Sequence, residues 1–204
     1  MPPAKSGRHP YHHGNLKETL TESALRLIAE LGPAGFTLRE VARRAGVSHN
    51  APYRHFEDKQ DLLAALAADG FDRLTGSMQS ALKPGSTPLE RLNLAVRGYV
   101  AFALRWPQHF AVMFDTPLAH EQYPALAASG ARAFDVLLGL VRECQAARAV
   151  QAGDPQQLAL LAWSLVHGVA KLAIGGQLPS ASKKSALEFC DFATRSLAAG
   201  IARR

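Results

Sequence analysis

Cysteine is scarce in this chain: two thiols, Cys144 and Cys190, among 204 residues. Neither stands at metal-ligand spacing, and two isolated thiols do not make the disulfide framework of a small secreted scaffold. They read as helix-packing residues in a reducing cytoplasm. A cleavable leader and a long unbroken apolar run are both missing, so the expectation is a cytoplasmic protein with no membrane partner. Alternating β-branched residues are few, which argues against a sheet and for an all-α fold. Motifs of catalysis are lacking too. There is no nucleophile elbow, no glycine-rich phosphate loop and no metal-ligand helix. Ser164 and His167 lie three apart on a helix, but no supporting acid accompanies them. The expectation is therefore no enzyme, no cofactor and no metal site. His9, His12 and His13 lack a fourth ordered ligand and do not change that.

Charge is present, and unevenly. The formal net charge is +6. Residues 1–56 hold eight Lys/Arg against four Asp/Glu, while the rest hold fifteen against thirteen. Five of the eight histidines also fall in that first stretch. A basic small domain joined to a near-neutral larger one suits a nucleic-acid reader attached to something else.

The most informative stretch is TLREVARRAGVSHNAPYRHF, Thr37 to Phe56. Thr37 and Glu40 form a capping box, with Phe36 and Val41 at the flanking staple positions. Leu38, Val41, Ala42 and Ala45 give that helix one apolar face. Gly46 supplies the left-handed residue that ends it, and Val47 offers an apolar plug. Ser48 then opens a second helix carrying His49, Asn50, Tyr53, Arg54 and His55, side chains suited to base edges and phosphates. This is a helix-turn-helix pattern. An amphipathic helix precedes it, from Asn15 to about Leu31, with Leu16, Leu20, Ala24, Leu27, Ile28 and Leu31 on one stripe. Asp58 caps a long helix after it, bearing Leu62, Leu63, Leu66, Phe71 and Leu74.

In order and spacing, GNLKETLTESALRLIAELG, FTLREVARRAGVS and YRHFEDKQDLL resemble the DNA-binding domain of the TetR (tetracycline-repressor-type) family of bacterial regulators. One departure is Ala51-Pro52, which replaces the hydroxyl-plus-aliphatic pair common there. Trp163, His167 and Gly168 resemble a subgroup with a Trp-x-x-x-His-Gly signature. The resemblance implies a reader domain over 14–74 and a helical effector-binding and dimerisation domain over 75–204. It implies a dimeric repressor that binds a palindromic double-stranded operator and is released by a small apolar or aromatic effector. An activator or ligand-independent regulator of the same fold remains open, as does a helical carrier or enzyme without DNA function.

Roles at the DNA divide by chemistry. His49 and Asn50 suit direct readout, with Ala51 free to meet a thymine methyl. Thr37, Arg39, Ser48, Tyr53, His55 and Lys59 suit phosphates, and Arg54 either task. Arg43 and Arg44 add to the field. Lys59 in the first turn of a helix pairs a charge with free N–H groups, which favours an anion. The arm KSGRHPYHHG offers Arg8 to a minor groove.

The remaining chain punctuates itself into helices. Thr87-Pro88-Leu89-Glu90 combines cap, proline and capping-box acid, and Asp154-Pro155-Gln156-Gln157 repeats the logic. Counting a short apolar piece, HFAVMF, about nine helices result. Phe102, Trp106, Phe110, Met113, Phe114, Phe134, Trp163 and His167 are the candidate effector pocket, mostly apolar with a polar handle. Each taken singly reads first as core, and His167 equally suits a bond to a neighbouring carbonyl. Gly168 suits a close helix crossing. Leu158, Leu161, Leu165, Leu172, Phe189 and Leu197, on the last two helices, are the candidate dimer interface; a monomeric core is the alternative.

Overall fold

The structure is a computed structural model, and it describes residues 16–178 and 182–200. The basic arm, the Asn15 cap, Pro179 and the expected last-helix end at Ala202 lie outside the described residues. Among the described residues eight α-helices follow one another: α1 (Leu16–Leu31), α2 (Leu38–Ala45), α3 (Lys59–Ser80), α4 (Pro88–Arg105), α5 (Pro107–Asp115), α6 (Pro124–Ala146), α7 (Pro155–Ile174) and α8 (Lys183–Gly200). Two short 3-10 turns occur, Pro52–Arg54 and His120–Gln122. No strand occurs among the described residues, and the fold is all-α.

The chain divides into two compact units, with the boundary at Leu62/Leu63 inside α3. In the first unit, α1 packs on α2 through Leu20, Ala24, Leu27 and Ile28 against Leu38, Val41 and Ala42, all buried. The local signals that set α2 are complete. Thr37 Oγ1 accepts from the Glu40 amide at 3.3 Å, and Glu40 Oε2 accepts from the Thr37 amide at 2.8 Å. Gly46 ends the helix at φ 69°, and the Val47 amide donates to Ala42 O at 3.0 Å. That is a left-handed glycine stop, a conformation costly for any residue with a Cβ.

One expected helix does not form. The segment opened by Ser48 contains only the three-residue 3-10 turn Pro52–Arg54. An α-helix there would need residue 52 to donate to Ser48 O, and proline has no N–H. The Ala51 amide takes that carbonyl instead, at 2.9 Å, which tightens the turn from i+4 to i+3. The nine expected helices thus become eight, the missing one being the second of the helix-turn-helix.

In the second unit α4 is central, packing against α5, α6, α7 and α8. It starts at the Thr87–Glu90 capping box and ends where Trp106-Pro107 begins α5. Gly98 on α4 is required by packing: a Cβ there would lie 2.5 Å from Ser77 O and 2.9 Å from Met78 Cα on α3. Ser77 Oγ uses the closeness to donate to Gly98 O at 2.8 Å. By length and composition α6 and α7 are each apolar enough to cross a membrane. Here they pack on α4 and on each other, as core helices of a bundle do.

Candidate nucleic-acid interface and ligand site

The first unit presents one polar, cation-bearing surface. Ser48, His49, Asn50, Tyr53, Arg54 and His55 are all exposed around the 3-10 turn, and Arg39 and Arg43 are exposed on α2. Arg39, Arg43 and Arg54 form no ion pair with any described residue. Beneath them Ala51, Pro52 and Phe56 are buried and anchor the turn.

Three candidates are placed differently from expectation, and a fourth, Thr37, is held in its expected cap. Ala51 is only 8% exposed, so its methyl belongs to the core and not to a thymine contact. Arg44 is taken by Glu30 of α1 in a two-pronged ion pair, one bond at 2.6 Å, which holds that carboxyl below its ordinary value. Lys59 donates to Ala34 O at 2.9 Å and lies 4.4 Å from the Phe36 ring centre, so it staples the α1–α2 connection. Burial lowers its pKa from the usual lysine value. The N-terminus of α3 beside it is already capped by carboxylates: Asp58 accepts from the Asp61 amide at 2.9 Å, and Asp61 accepts from the Glu57 amide at 3.1 Å. Thr37 has its hydroxyl engaged with Glu40. Of the neighbours Arg43 and Arg44, it is Arg43 that stays exposed without an ion pair to any described residue; sequence alone does not say which of the two an acid takes.

In the second unit the expected pocket is a cluster of touching rings. Phe102 and Phe110 are 0% and 1% exposed, and Met113 is buried. Tyr99 of α4 is the hub. Its hydroxyl lies 3.0 Å from His167 Nδ1, and its ring meets Phe110 and Trp163 edge-on. Phe110 stacks on His167 with centroids 5.2 Å apart, Phe114 meets His167 edge-on at 4.6 Å, and Phe134 lies against Trp163. Burial pushes the Tyr99 phenol far above its ordinary pKa, so the phenol stays protonated, and the His167 tautomer sets which partner donates in this bond. Through Nδ1, His167 thus bonds a tyrosine and not a neighbouring carbonyl. Trp106 stands apart, flanked by Phe102, Arg73 and Arg105.

His167 is also pH-sensitive. Burial lowers its pKa from the ordinary value, the Lys171 cation adds to this, and Asp115, which pairs with Lys171, opposes it. A depressed folded-state value means that the unfolded chain binds the proton first. The neutral ring's stabilisation is then fully present above about pH 6.5 and is lost as pH falls through the folded value. Urea midpoints taken between about pH 7.5 and about pH 5 should fall for the native chain and fall less for His167→Asn. Parallel curves would remove His167 from the acid response.

A second feature of this unit was not expected. An aliphatic cavity lies between α4, α6, α7 and α8, and Leu158, Leu165 and Leu197 line it. Leu158 is 8% exposed and so belongs to its own chain's interior, not to an outer face. The exposed apolar residues of the last two helices are Leu160, Leu161, Leu172, Ile174, Phe189 and Phe192. Gly168 sits on exposed surface with nothing within 4 Å of a Cβ, so no crossing inside this chain uses it. Both cysteines are buried and free, and burial raises each thiol to about 11. Among the described residues no group of three or more His, Cys, Asp or Glu is placed to hold a metal.

A capped helix, a glycine stop and an exposed polar 3-10 turn in the first unit, with a helical second unit, match a helix-turn-helix protein whose second helix is shortened to that turn. Residues 20–66 match the family described as bacterial regulatory proteins, tetR family, and residues 92–197 match the tetracyclin repressor-like C-terminal domain. The chain belongs to the TetR family. A solved structure from Rhodococcus sp. RHA1, described as a protein of unknown function, superposes with a TM-score of 0.82 at 36% identity, covering 96% of this chain and 100% of that one. A tetR-family regulatory protein from Rhodococcus RHA1 shares the fold at TM-score 0.73 and 21% identity, over 89% and 96% of the two chains. The HTH-type transcriptional regulator BetI of Rhizobium meliloti is 33% identical over 81 residues, 40% of either chain. The HTH-type transcriptional repressor KstR2 of Mycolicibacterium smegmatis is 29% identical over 83 residues, 41% of this chain and 40% of that one. The chain thus spans about two fifths of the length of these curated relatives.

Proposed function

We propose that this protein is a cytoplasmic, homodimeric transcriptional repressor that binds a palindromic operator and releases it on binding a small apolar effector. On this reading the reader spans 14–74 and the effector and dimerisation part 75–204, and the resemblance of Trp163, His167 and Gly168 to that signature supports the subgroup. The carrying observation is the turn Ser48–His55, whose exposed side chains are rich in hydrogen-bonding groups and stand beside Arg39, Arg43 and Arg54, cations that pair with no described acid. Asn50 suits an adenine edge, His49 a purine acceptor, and Tyr53, Ser48 and His55 phosphate oxygens. The absence of catalytic motifs and the regulator names of its relatives support a non-enzymatic role.

A palindrome requires two heads about 34–36 Å apart, hence a twofold axis. Leu161, Leu172 and Phe189, joined by Leu160 and Phe192, offer an apolar surface for it, and the bare Gly168 allows a second helix to approach closely. Effector binding acts by favouring a head spacing that no longer fits the operator, a population shift.

The test is a gel shift against DNA from the region upstream of its own gene. The native protein should retard one fragment specifically, and an Asn50→Ala, Tyr53→Ala double variant should lose that band while keeping its helical circular dichroism. Equal retardation of every fragment by both proteins would defeat the assignment of the reader residues.

A further inference from the structure

We infer that Pro52, a buried residue, sets which operator sequence the reader prefers. It is a positioning residue: it fixes the offset between the base-facing pair His49 and Asn50 and the phosphate-facing Tyr53 and His55. The inference rests on the DNA-reading role proposed above.

Position 52 lies between two groups of exposed side chains. Ser48, His49 and Asn50 precede it, and Tyr53, Arg54 and His55 follow. Each group is tied to the core at its far end. Upstream, the Val47 amide donates to Ala42 O at 3.0 Å. Downstream, Phe56 is buried and its amide donates to Pro52 O at 3.0 Å. Bonds of the i+3 type join the two groups. The Ala51 amide donates to Ser48 O at 2.9 Å, the Arg54 amide to Ala51 O at 3.3 Å and the His55 amide to Pro52 O at 2.9 Å. An α-helix opened at Ser48 would make its first bond from the N–H of residue 52, which proline withholds. The choice between the two paths is therefore made at this residue.

The paths differ by more than base recognition tolerates. A 3-10 turn advances about 2.0 Å and about 120° per residue, an α-helix about 1.5 Å and about 100°. By Arg54, three residues past Ala51, the difference has grown to about 1.5 Å and about 60°, and Tyr53 and His55 move with it. Successive bases on a strand are about 3.4 Å apart, so the offset is nearly half a base step. A hydrogen bond weakens steeply once its angle falls below about 120°. Phosphate contacts fix the register of a reader on the duplex, and base contacts specify the sequence. With Tyr53 and His55 held on phosphates, a change of path carries His49 and Asn50 to different base edges.

The experiment is selection of binding sites from a randomised duplex pool by the full chain, followed by gel-shift affinities on the selected sequences. Pro52→Ala and Pro52→Val both restore the N–H, and valine keeps most of the ring's bulk. Each should favour a different base at one or more half-site positions and bind the native sequence about tenfold more weakly than its own. No charge changes, so the salt slope should match that of the native protein. Val41→Ala trims the α1–α2 core and leaves position 52 alone; it should weaken every sequence evenly. If Pro52→Ala loses its helical circular dichroism, Pro52→Val answers the question, and loss of the fold in both would overturn the inference by making Pro52 a folding residue. A variant that selects the native sequence, or a Val41→Ala protein that shifts preference in the same way, overturns it as well. A native consensus shared by the variants sinks this inference alone, whereas a native chain that selects no sequence sinks the reader assignment with it.

Discussion

Phe110→Ala is expected to lower the unfolding free energy by about 3–5 kcal/mol, the usual cost of removing a fully buried phenyl ring. Phe110 is 1% exposed and lies among Tyr99, Phe114 and His167, with Lys171 Nζ 5.8 Å from its ring centre. Its neighbours are held by the Tyr99–His167 hydrogen bond, so they have little freedom to close the hole. The ring-to-ring contacts add to the loss, since edge-on and offset pairs gain beyond their buried area. For a chain of this length the melting temperature should drop by roughly 6–20 °C in a reversible thermal scan. A change below about 1 kcal/mol would mean that the cluster is not close-packed. Phe110 would then border open space, and the aromatic cluster would return as the effector site.

The second large effect is on DNA. On the proposed reading, Arg43→Glu combined with Arg54→Glu should weaken operator binding by roughly 100-fold or more, because two charge-assisted contacts become repulsive. The plot of log affinity against log salt should flatten by about 2, one for each phosphate no longer neutralised. Arg44→Ala provides the contrast. Its guanidinium is spent on Glu30, so the salt slope should stay as it is in the native protein. An Arg44→Ala slope as shallow as that of the double reversal would show that the ion pair opens on DNA.

The neighbours Arg43 and Arg44 show where sequence stops being legible. Signals confined to four or five residues are realised in the structure. Thr37 with Glu40, Thr87 with Glu90, Asp154 with Gln156 and Gly46 all place helix ends as their spacing implies. What depends on distant residues is not readable in this way. Lys59 turns to the carbonyl of Ala34, and Arg44 to a glutamate on another helix. His167 finds a tyrosine 68 residues away. Helix α7 is apolar on several sides, so its period cannot say that Leu158 faces inward while Leu161 is 44% exposed. Pro52 is an intermediate case. Its missing N–H was visible from the start, yet the outcome, a 3-10 turn in place of a helix, depended on which amide would take the Ser48 carbonyl.

That turn also bears on how the interface can be mapped. His49, Asn50 and Tyr53 donate no backbone amide bond to any described residue, and all three are exposed. In an α-helix opened at Ser48 the first-turn amides of His49 and Asn50 would also be free, and only that of Tyr53 would be spent along the axis; here the main chain carries three uncommitted donors beside the cationic side chains. Whatever they contribute to holding a phosphate survives every alanine scan, because truncating a side chain leaves the peptide N–H in place. Backbone chemistry makes that share visible: an ester at position 50 deletes one donor and keeps the asparagine.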